Sequence, residues 1–415
     1  MTVKVAVIGG GSTYTPELAD GFGRLADRLN VDELVLHDID STRLEPVAAV
    51  CGRILRRHGW TGTLTSTTDL VKALEGAHFV LVQLRVGGQE ARLRDETLPL
   101  AHGRIGQETT GAGGFGKAMR TVPVVLDLAE QVGWHAAPGA WIIDFTNPTG
   151  IVTQALLDGG HRAIGLCNVA IHLRHRAADL LGVDADRLEM EHVGLNHLTW
   201  ERSAVVDGVD RMPELLGEHG EKLAEYLEFP LELLRELGAI PSRYLRYYYL
   251  TEHMLARQQA GHLRAREVQK IESELLELYR DPTLDTKPPQ LLNRGGRYYS
   301  DAAVALIASL HDGRGDVQAV NVRNNGALPG LDDDAVIEVQ ARIDRDGAHP
   351  LPQRALPAEM LGLVQQMKQY ERLTVQAART RDRRTALLAL MANPLVREYD
   401  PARGILDALP ITTKL

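Results

Sequence analysis

The sequence predicts an α/β fold: a doubly wound, parallel sheet in the N-terminal part, joined to a mixed α+β, mostly helical second domain. Three observations lead there. Residues 1–170 alternate short apolar runs with longer amphipathic stretches. The first of those runs enters a glycine-rich turn. Beyond about residue 195, Leu, Glu, Arg and Ala dominate, with apolar positions at helical spacing. A chain of 415 residues has room for two or three domains, at roughly 100–200 residues each.

Taken in order, the apolar runs are residues 3–8, 33–37, 79–84, 141–145 and 163–166. Helical patterns lie between them, as at 121–132 and 151–157. Continuous apolar runs flanked by helices are strands buried on both faces. That alternation builds a parallel, doubly wound sheet. Residues 198–206 can start a further β element. Residues 212–239 and 251–278 read as helical, and so do 302–309, 335–339 and 355–390. The expected division is a nucleotide-binding domain over 1–195 and a substrate-binding and oligomerisation domain over 196–415. No internal repeat or low-complexity linker interrupts the chain.

Composition narrows the function. Charged residues make up 24% and the net charge is −9. That balance disfavours nucleic acid and anionic membranes as partners, yet leaves room for a basic pocket that takes a small anion. No apolar run approaches the length of a membrane span. The N-terminus enters a strand-like segment with no signal-peptide pattern. With two cysteines only, Cys51 and Cys167, nothing reads as a disulfide framework. A cytoplasmic protein with both thiols free is expected.

The segment Val5-Ala6-Val7-Ile8-Gly9-Gly10-Gly11-Ser12-Thr13-Tyr14 is a strand running into a glycine turn, with a helix expected from about Pro16. Glycines let the backbone approach a pyrophosphate, and the helix N-terminus adds N–H donors and a positive dipole end. Gly9, Gly11, Ser12 and Thr13 are the candidate cofactor contacts. The third glycine of the usual fingerprint is replaced by Tyr14. The second strand ends in Asp38, an acceptor for ribose hydroxyls that favours NAD over NADP. The competing readings are a glycine turn that binds no nucleotide and a solvated acid at a strand end. An ordinary NAD dehydrogenase would also carry this loop.

Further segments extend the reading. They are Gln83–Arg92 with Asp95-Glu96, Gly106-Gln107-Glu108-Thr109-Thr110-Gly111-Ala112-Gly113-Gly114, Asp144-Phe145-Thr146-Asn147-Pro148-Thr149-Gly150, Gly165-Leu166-Cys167-Asn168-Val169 and Gly194-Leu195-Asn196-His197. Tyr244-Leu245-Arg246-Tyr247-Tyr248-Tyr249, Gly296-Arg297-Tyr298-Tyr299-Ser300-Asp301 and Asn321–Gly326 follow. Together with the glycine loop, this set resembles glycoside hydrolase family four over about residues 3–330. The family is an NAD-dependent exception to two-carboxylate glycosidases.

The resemblance implies a nucleotide domain like that of lactate and malate dehydrogenases, and a catalytic cycle in which NAD is not consumed. NAD⁺ removes hydride from C3 of the sugar, which acidifies the C2 proton. A base takes that proton and the glycosidic bond leaves by elimination. Water then adds at C1, and NADH reduces C3 again. A divalent ion, usually Mn²⁺, holds the C2 and C3 oxygens as a Lewis acid. Carried onto this sequence, Cys167 and His197 are the metal ligands and Tyr244 is the base. Glu108 contacts the metal-bound water or the sugar hydroxyls, and Asn147, Arg92 and Arg264 contact substrate. Read from spacing alone, one Cys and one His thirty residues apart remain a weak signal, and a lone Cys is more often a small core residue. A phenol titrates near 10, so Tyr244 needs a nearby cation to act as a base. Tyr247–Tyr249 leave its register open.

Asn168 bears on specificity. The family's α-acting members carry Asp there, which can protonate the leaving oxygen, and the β-acting members carry Asn. The implied substrate is therefore a 6-phospho-β-glucoside, a phosphorylated disaccharide, and the implied assembly is a homodimer or homotetramer. Ala170, where proline is usual, and the basic stretch 257–266 depart from the family pattern. Other readings are an α-acting or unphosphorylated-glycoside member, a malate/lactate-type dehydrogenase and a non-catalytic sensor.

Overall fold

In the computed structural model, residues 3–294 and 298–409 are described; Gly296 and Arg297 of the Gly-Arg-Tyr-Tyr segment lie outside them. Each predicted apolar run becomes a strand: β1 (Lys4–Ile8), β2 (Glu33–His37), β4 (Phe79–Val82), β5 (Trp141–Asp144) and β6 (Ala163–Gly165). The sequence reading missed β3 (Thr63–Thr67). It pairs with β2 at the edge of the sheet. Its Thr-Leu-Thr-Ser-Thr sequence has no apolar run because the strand is largely solvated.

These six strands are parallel, in the order β3-β2-β1-β4-β5-β6. The order reverses between β1 and β4, and ligands of such sheets bind at the carboxyl ends beside that reversal. Side chains alternate between two buried faces. Val5, Val7, Leu34, Leu36, Phe79, Leu81, Ile143 and Ile164 enter one core. Ala6, Ile8, Val35, Val80, Val82, Ile142 and Ala163 enter the other. Burial on both sides explains why the strands read as unbroken apolar runs rather than as alternation.

The later part of the chain holds more strand than expected: β7 (Leu188–Leu195), β8 (Leu198–Val206), β9 (Val209–Asp210), β10 (Ile240–Pro241), β11 (Asp316–Arg323), β12 (Val336–Asp344) and β13 (Gly347–Pro350). They extend the same sheet antiparallel past β6, in the order β6-β11-β12-β7-β8-β10, with β13 on β12 and β9 on β8. Residues 335–339, expected to be helical, belong to β12. The β-branched residues Val336, Ile337, Val339 and Ile343 suit a pleated strand buried between two neighbours.

Other helical expectations hold with breaks. Residues 121–132 lie within the helix Gly111–His135, and 151–157 within Thr149–Asp158. Residues 302–309 lie within Tyr299–Asp312. The span 212–239 divides into Met212–Leu216, Gly220–Leu227 and Leu231–Leu237, where Gly217, Pro230 and Gly238 interrupt it. Residues 251–278 divide into Thr251–Gln259 and Arg264–Tyr279, with the positive-φ Gly261 between. Residues 355–390 divide into Ala358–Thr380 and Arg383–Ala392, the second capped by the Asp382 side chain. Among the described residues, no helix is long and apolar enough to cross a membrane.

The β7–β8 hairpin turns through Asn196 and His197, with His197 at φ 62°. Gly194 precedes the turn at φ 146°, and a Cβ there would stand 2.1 Å from the Leu198 carbonyl oxygen. No side chain fits without moving the opposite strand. Gly194→Ala is expected to lower stability by about 3 kcal/mol, read from urea unfolding. Wild-type stability in that variant would contradict the close approach.

Candidate active site

The carboxyl ends of β1, β2, β4, β5 and β6 open into a cavity of about 1350 Å³. That exceeds the ~300–1,000 Å³ of a drug-sized pocket and has room for a dinucleotide beside a sugar. Nine Arg and Lys side chains line it against seven carboxylates. The wall is thus net positive in a chain whose net charge is −9. Field lines from such a wall favour anionic ligands.

At one end lies the glycine loop. Gly9 has φ 89°, and a Cβ there would meet the Gln83 carbonyl oxygen at 2.8 Å. The helix Thr15–Arg24 begins directly after the loop with Pro16 in its first turn, and no side chain caps it. A helix end of this kind fits a pyrophosphate. Asp38 faces the loop across the end of β2, and its Oδ2 accepts the Gly11 N–H at 2.9 Å. Gly9, Gly11, Ser12 and Asp38 all line the cavity. Thr13 does not. It is fully buried, its carbonyl accepts the Tyr279 hydroxyl at 2.7 Å and its Oγ1 accepts Arg294 Nε at 3.3 Å. Its side chain is committed to the interior rather than to a cofactor. Tyr14, in place of the third glycine, packs edge-on to Tyr299, which also meets Phe145.

At the other end, His197 and Tyr244 stack, with ring centroids 3.6 Å apart and planes at 10°. Tyr244 sits in the one-turn segment Arg243–Leu245. Tyr247 lines the cavity, whereas Tyr249 packs on Phe229. Tyr244 and Tyr247 thus both face the cavity, and Tyr244 is the one stacked on His197. Burial pushes its phenol above the ordinary value, and charge on Cys167, Tyr247 and Glu108 pushes the same way against Arg92. Without an added cation the phenol stays neutral.

His197 Nδ1 is 3.0 Å from the Thr109 hydroxyl, so its other ring nitrogen is the one left for a ligand. Burial, aided by Lys117, lowers its pKa to about 4 against Glu338 and Glu108. The imidazole is neutral, the form that binds metals. Cys167 is 5% exposed and sits between β6 and the helix Val169–Leu181, directly before the cavity-lining Asn168. Burial raises its thiol above the ordinary value. One thiol and one imidazole fit a divalent ion with open coordination positions, unlike the four protein ligands of a closed structural site. A separate trio of potential donors, Glu214, Glu218 and His219, lies at the protein's periphery and is partly solvated.

Glu108 lines the cavity and is buried. Arg85 pairs with it, Lys117 Nζ lies at 2.8 Å and Arg92 Nη2 at 3.3 Å. Burial would raise its pKa, but Arg85, Lys117 and Arg92 together hold the carboxyl well below the usual range. At neutral pH it accepts hydrogen bonds and has no proton to give. Lys117 is in turn lowered to about 8, by burial first. Arg92 is buried and divided between Glu96, at 2.9 Å, and Glu108. Arg264 sits at the rim, largely exposed, bonded to Glu267 and to the Asn293 carbonyl. Asn147 faces the cavity, and its Oδ1 is buried without a hydrogen-bond partner among the described residues. Asn168 lines the cavity as the N-cap of the helix Val169–Leu181.

Some participants were not anticipated. Lys117 stands alone as a charge in the stretch Gly-Phe-Gly-Lys-Ala-Met, a detectable signal for a buried cation. Glu338 is buried on β12 and bonds Asn196, His192 and Asn321. Reading its segment as helix hid it. The available clue to a strand was the alternation of Ile337, Val339, Ala341 and Ile343 with polar residues.

The Family 4 glycosyl hydrolase model matches residues 4–183, and the model of that family's C-terminal domain matches 192–396. A probable 6-phospho-β-glucosidase of Bacillus subtilis (strain 168) is 43% identical, over 98% of this chain and 95% of its own. The 6-phospho-β-glucosidase of Escherichia coli (strain K12) is 38% identical, over 95% and 91%. A phospho-α-glucosidase of Clostridium acetobutylicum is 28% identical, over 98% and 96%. The structure of the Thermotoga maritima 6-phospho-β-glucosidase with manganese, NAD⁺ and glucose 6-phosphate superposes with a TM-score of 0.90 at 34% identity, covering 98% of this chain and 97% of that one. A metagenomic lactate dehydrogenase from the Medee basin shares the fold at a TM-score of 0.58 and 15% identity, covering 91% of this chain and 99% of that one.

Asp38→Ala removes a charged acceptor from the glycine loop. A hydrogen bond to a charged group is worth about 1.5–3 kcal/mol, so NAD⁺ should bind at least about tenfold more weakly, by fluorescence titration. Unchanged affinity would remove Asp38 from the cofactor site.

Proposed function

The chain belongs to glycosyl hydrolase family 4, and from that membership we propose that it hydrolyses 6-phospho-β-glucosides with NAD and a divalent metal, Mn²⁺, as cofactors. The observation that carries this reading is the stacked His197–Tyr244 pair, in one cavity with the glycine loop and with Asn168, the residue that follows Cys167. A simple dehydrogenase has no use for an imidazole stacked on a buried phenol there. Residues 1–195 serve the cofactor, and residues 196–415 complete the substrate side and the assembly, a homodimer or homotetramer. The enzyme works in the cytoplasm, where its thiols stay reduced.

Bound NAD supplies a reversible hydride acceptor for C3, and the divalent ion supplies Lewis-acid polarisation of the sugar oxygens and a positive charge that favours the Tyr244 phenolate. Cys167 and the neutral His197 hold that ion. Tyr244 takes the C2 proton. Glu108, ionised by its three cations, accepts hydrogen bonds from sugar hydroxyls, and Asn147 offers its unpartnered Oδ1 in the same space. Arg92 and Arg264 present guanidinium groups toward the phosphorylated sugar. At Asn168 a carboxamide cannot protonate the leaving oxygen, which suits a β-linked phosphoglucoside. The greater identity to β-acting than to α-acting relatives points the same way.

The test is nitrophenol release from p-nitrophenyl-β-glucoside 6-phosphate, with Mn²⁺ and NAD⁺ present or omitted. Turnover is expected only with both, without net NADH, and not with the α-anomer or the unphosphorylated glucoside. Steady NADH accumulation without cleavage would mean a dehydrogenase. Tyr244→Phe should lower kcat by about 10²–10⁴-fold and abolish exchange of the C2 hydrogen with D₂O. Retained exchange would exclude Tyr244 as the base.

A further inference from the structure

We propose that Glu338 is a positioning residue that sets the spacing between the Cys167 sulfur and the His197 imidazole. It rests on the assignment of those two residues as metal ligands.

The geometry is a row of polar side chains across neighbouring strands. Glu201 of β8 pairs in register with His192 of β7, Glu338 of β12 with Gly194 of β7, Asn321 of β11 with Glu338, and Gly165 of β6 with Asn321. All four side chains are 2% exposed or less. His192 Nδ1 is 2.6 Å from Glu201 Oε1, and its Nε2 is 2.9 Å from Glu338 Oε1. Glu338 Oε2 accepts from Asn196 Nδ2 at 2.7 Å and from Asn321 Nδ2 at 2.9 Å. Asn321 Nδ2 also reaches the Gly165 carbonyl at 3.5 Å.

Asn196 adjoins His197 in the hairpin turn. Gly165 lies two residues before Cys167. One carboxylate therefore ties together the two segments that present the ligands, which come from opposite halves of the sheet. Partners of this kind orient metal ligands in general. The row demands an acceptor at both oxygens. Glutamine would turn its amide N–H₂ either toward two donating asparagines or toward His192, which is held protonated, with a pKa of about 10, by its two carboxylates in spite of burial. A buried carboxylate that satisfied packing alone would show no preference for metal over cofactor.

The experiment titrates Mn²⁺ into the full-length protein with NAD⁺ present, following free Mn²⁺ by electron paramagnetic resonance, and measures NAD⁺ affinity separately by fluorescence. Glu338→Gln is expected to weaken Mn²⁺ binding about 10–100-fold and to leave the NAD⁺ Kd within about twofold. Unchanged Mn²⁺ affinity, or equal losses of Mn²⁺ and NAD⁺ affinity, would overturn the inference. If Glu338→Gln does not fold, Asn321→Ala decides. It severs the arm toward Gly165 and leaves the His192 and Asn196 contacts in place, so Mn²⁺ should again weaken while NAD⁺ does not; equal Mn²⁺ affinity overturns the inference there too. A wild-type protein that binds no Mn²⁺ would instead overturn the ligand assignment, and this inference with it.

Discussion

The parallel and antiparallel parts of the sheet meet at a single residue pair, Gly165 of β6 with Asn321 of β11. The seam admits nothing larger than glycine. A Cβ at Gly165 would stand 2.2 Å from Thr153 Oγ1 and 2.9 Å from the Asn321 Cβ. The chain leaves β6 at this seam and reaches Cys167 two residues later. The β7–β8 hairpin delivers His197 from the antiparallel side. How closely the glycine loop after β1 can face the His197–Tyr244 stack depends on this join.

Around that join the protein buries many charges, and their arrangement fixes protonation states. Burying an ion costs several kcal/mol unless it is paired and hydrogen-bonded. Glu108 meets Arg85, Arg92 and Lys117, and His192 meets Glu201 and Glu338. The outcome is a carboxylate that stays ionised and an imidazolium that stays charged. His197 and Tyr244 are held neutral by the same burial, which outweighs the opposing charges of Glu338 and Glu108 at His197 and of Arg92 at Tyr244. The result is a neutral imidazole stacked on a neutral phenol.

The nucleotide half was legible because both its signals are local. Strands buried on two faces show as apolar runs, and a glycine loop shows as glycines. The edge strand β3 escaped notice because solvation removed its apolar signature. The later strands were harder for the opposite reason. Some of their pairings span long stretches of chain: β12 is held between β11 and the distant β7. Helical spans were found, but their breaks at Gly217, Pro230 and Gly261 were read through.

For the site, motif resemblance brought Cys167, His197, Tyr244 and Glu108 into view, since each stands in a short conspicuous segment. It could not rank Tyr244 above Tyr247–Tyr249, and it put Thr13 with the cofactor contacts although its side chain is buried elsewhere. By itself the sequence determined the doubly wound sheet, the dinucleotide loop and the family, because these depend on near neighbours and side-chain types. The tertiary structure alone decided which tyrosine stacks on His197, how Glu108 is neutralised and that Glu338 bonds both Asn196 and Asn321. Those depend on strand register and burial, which arise only when separate segments of the chain are packed together.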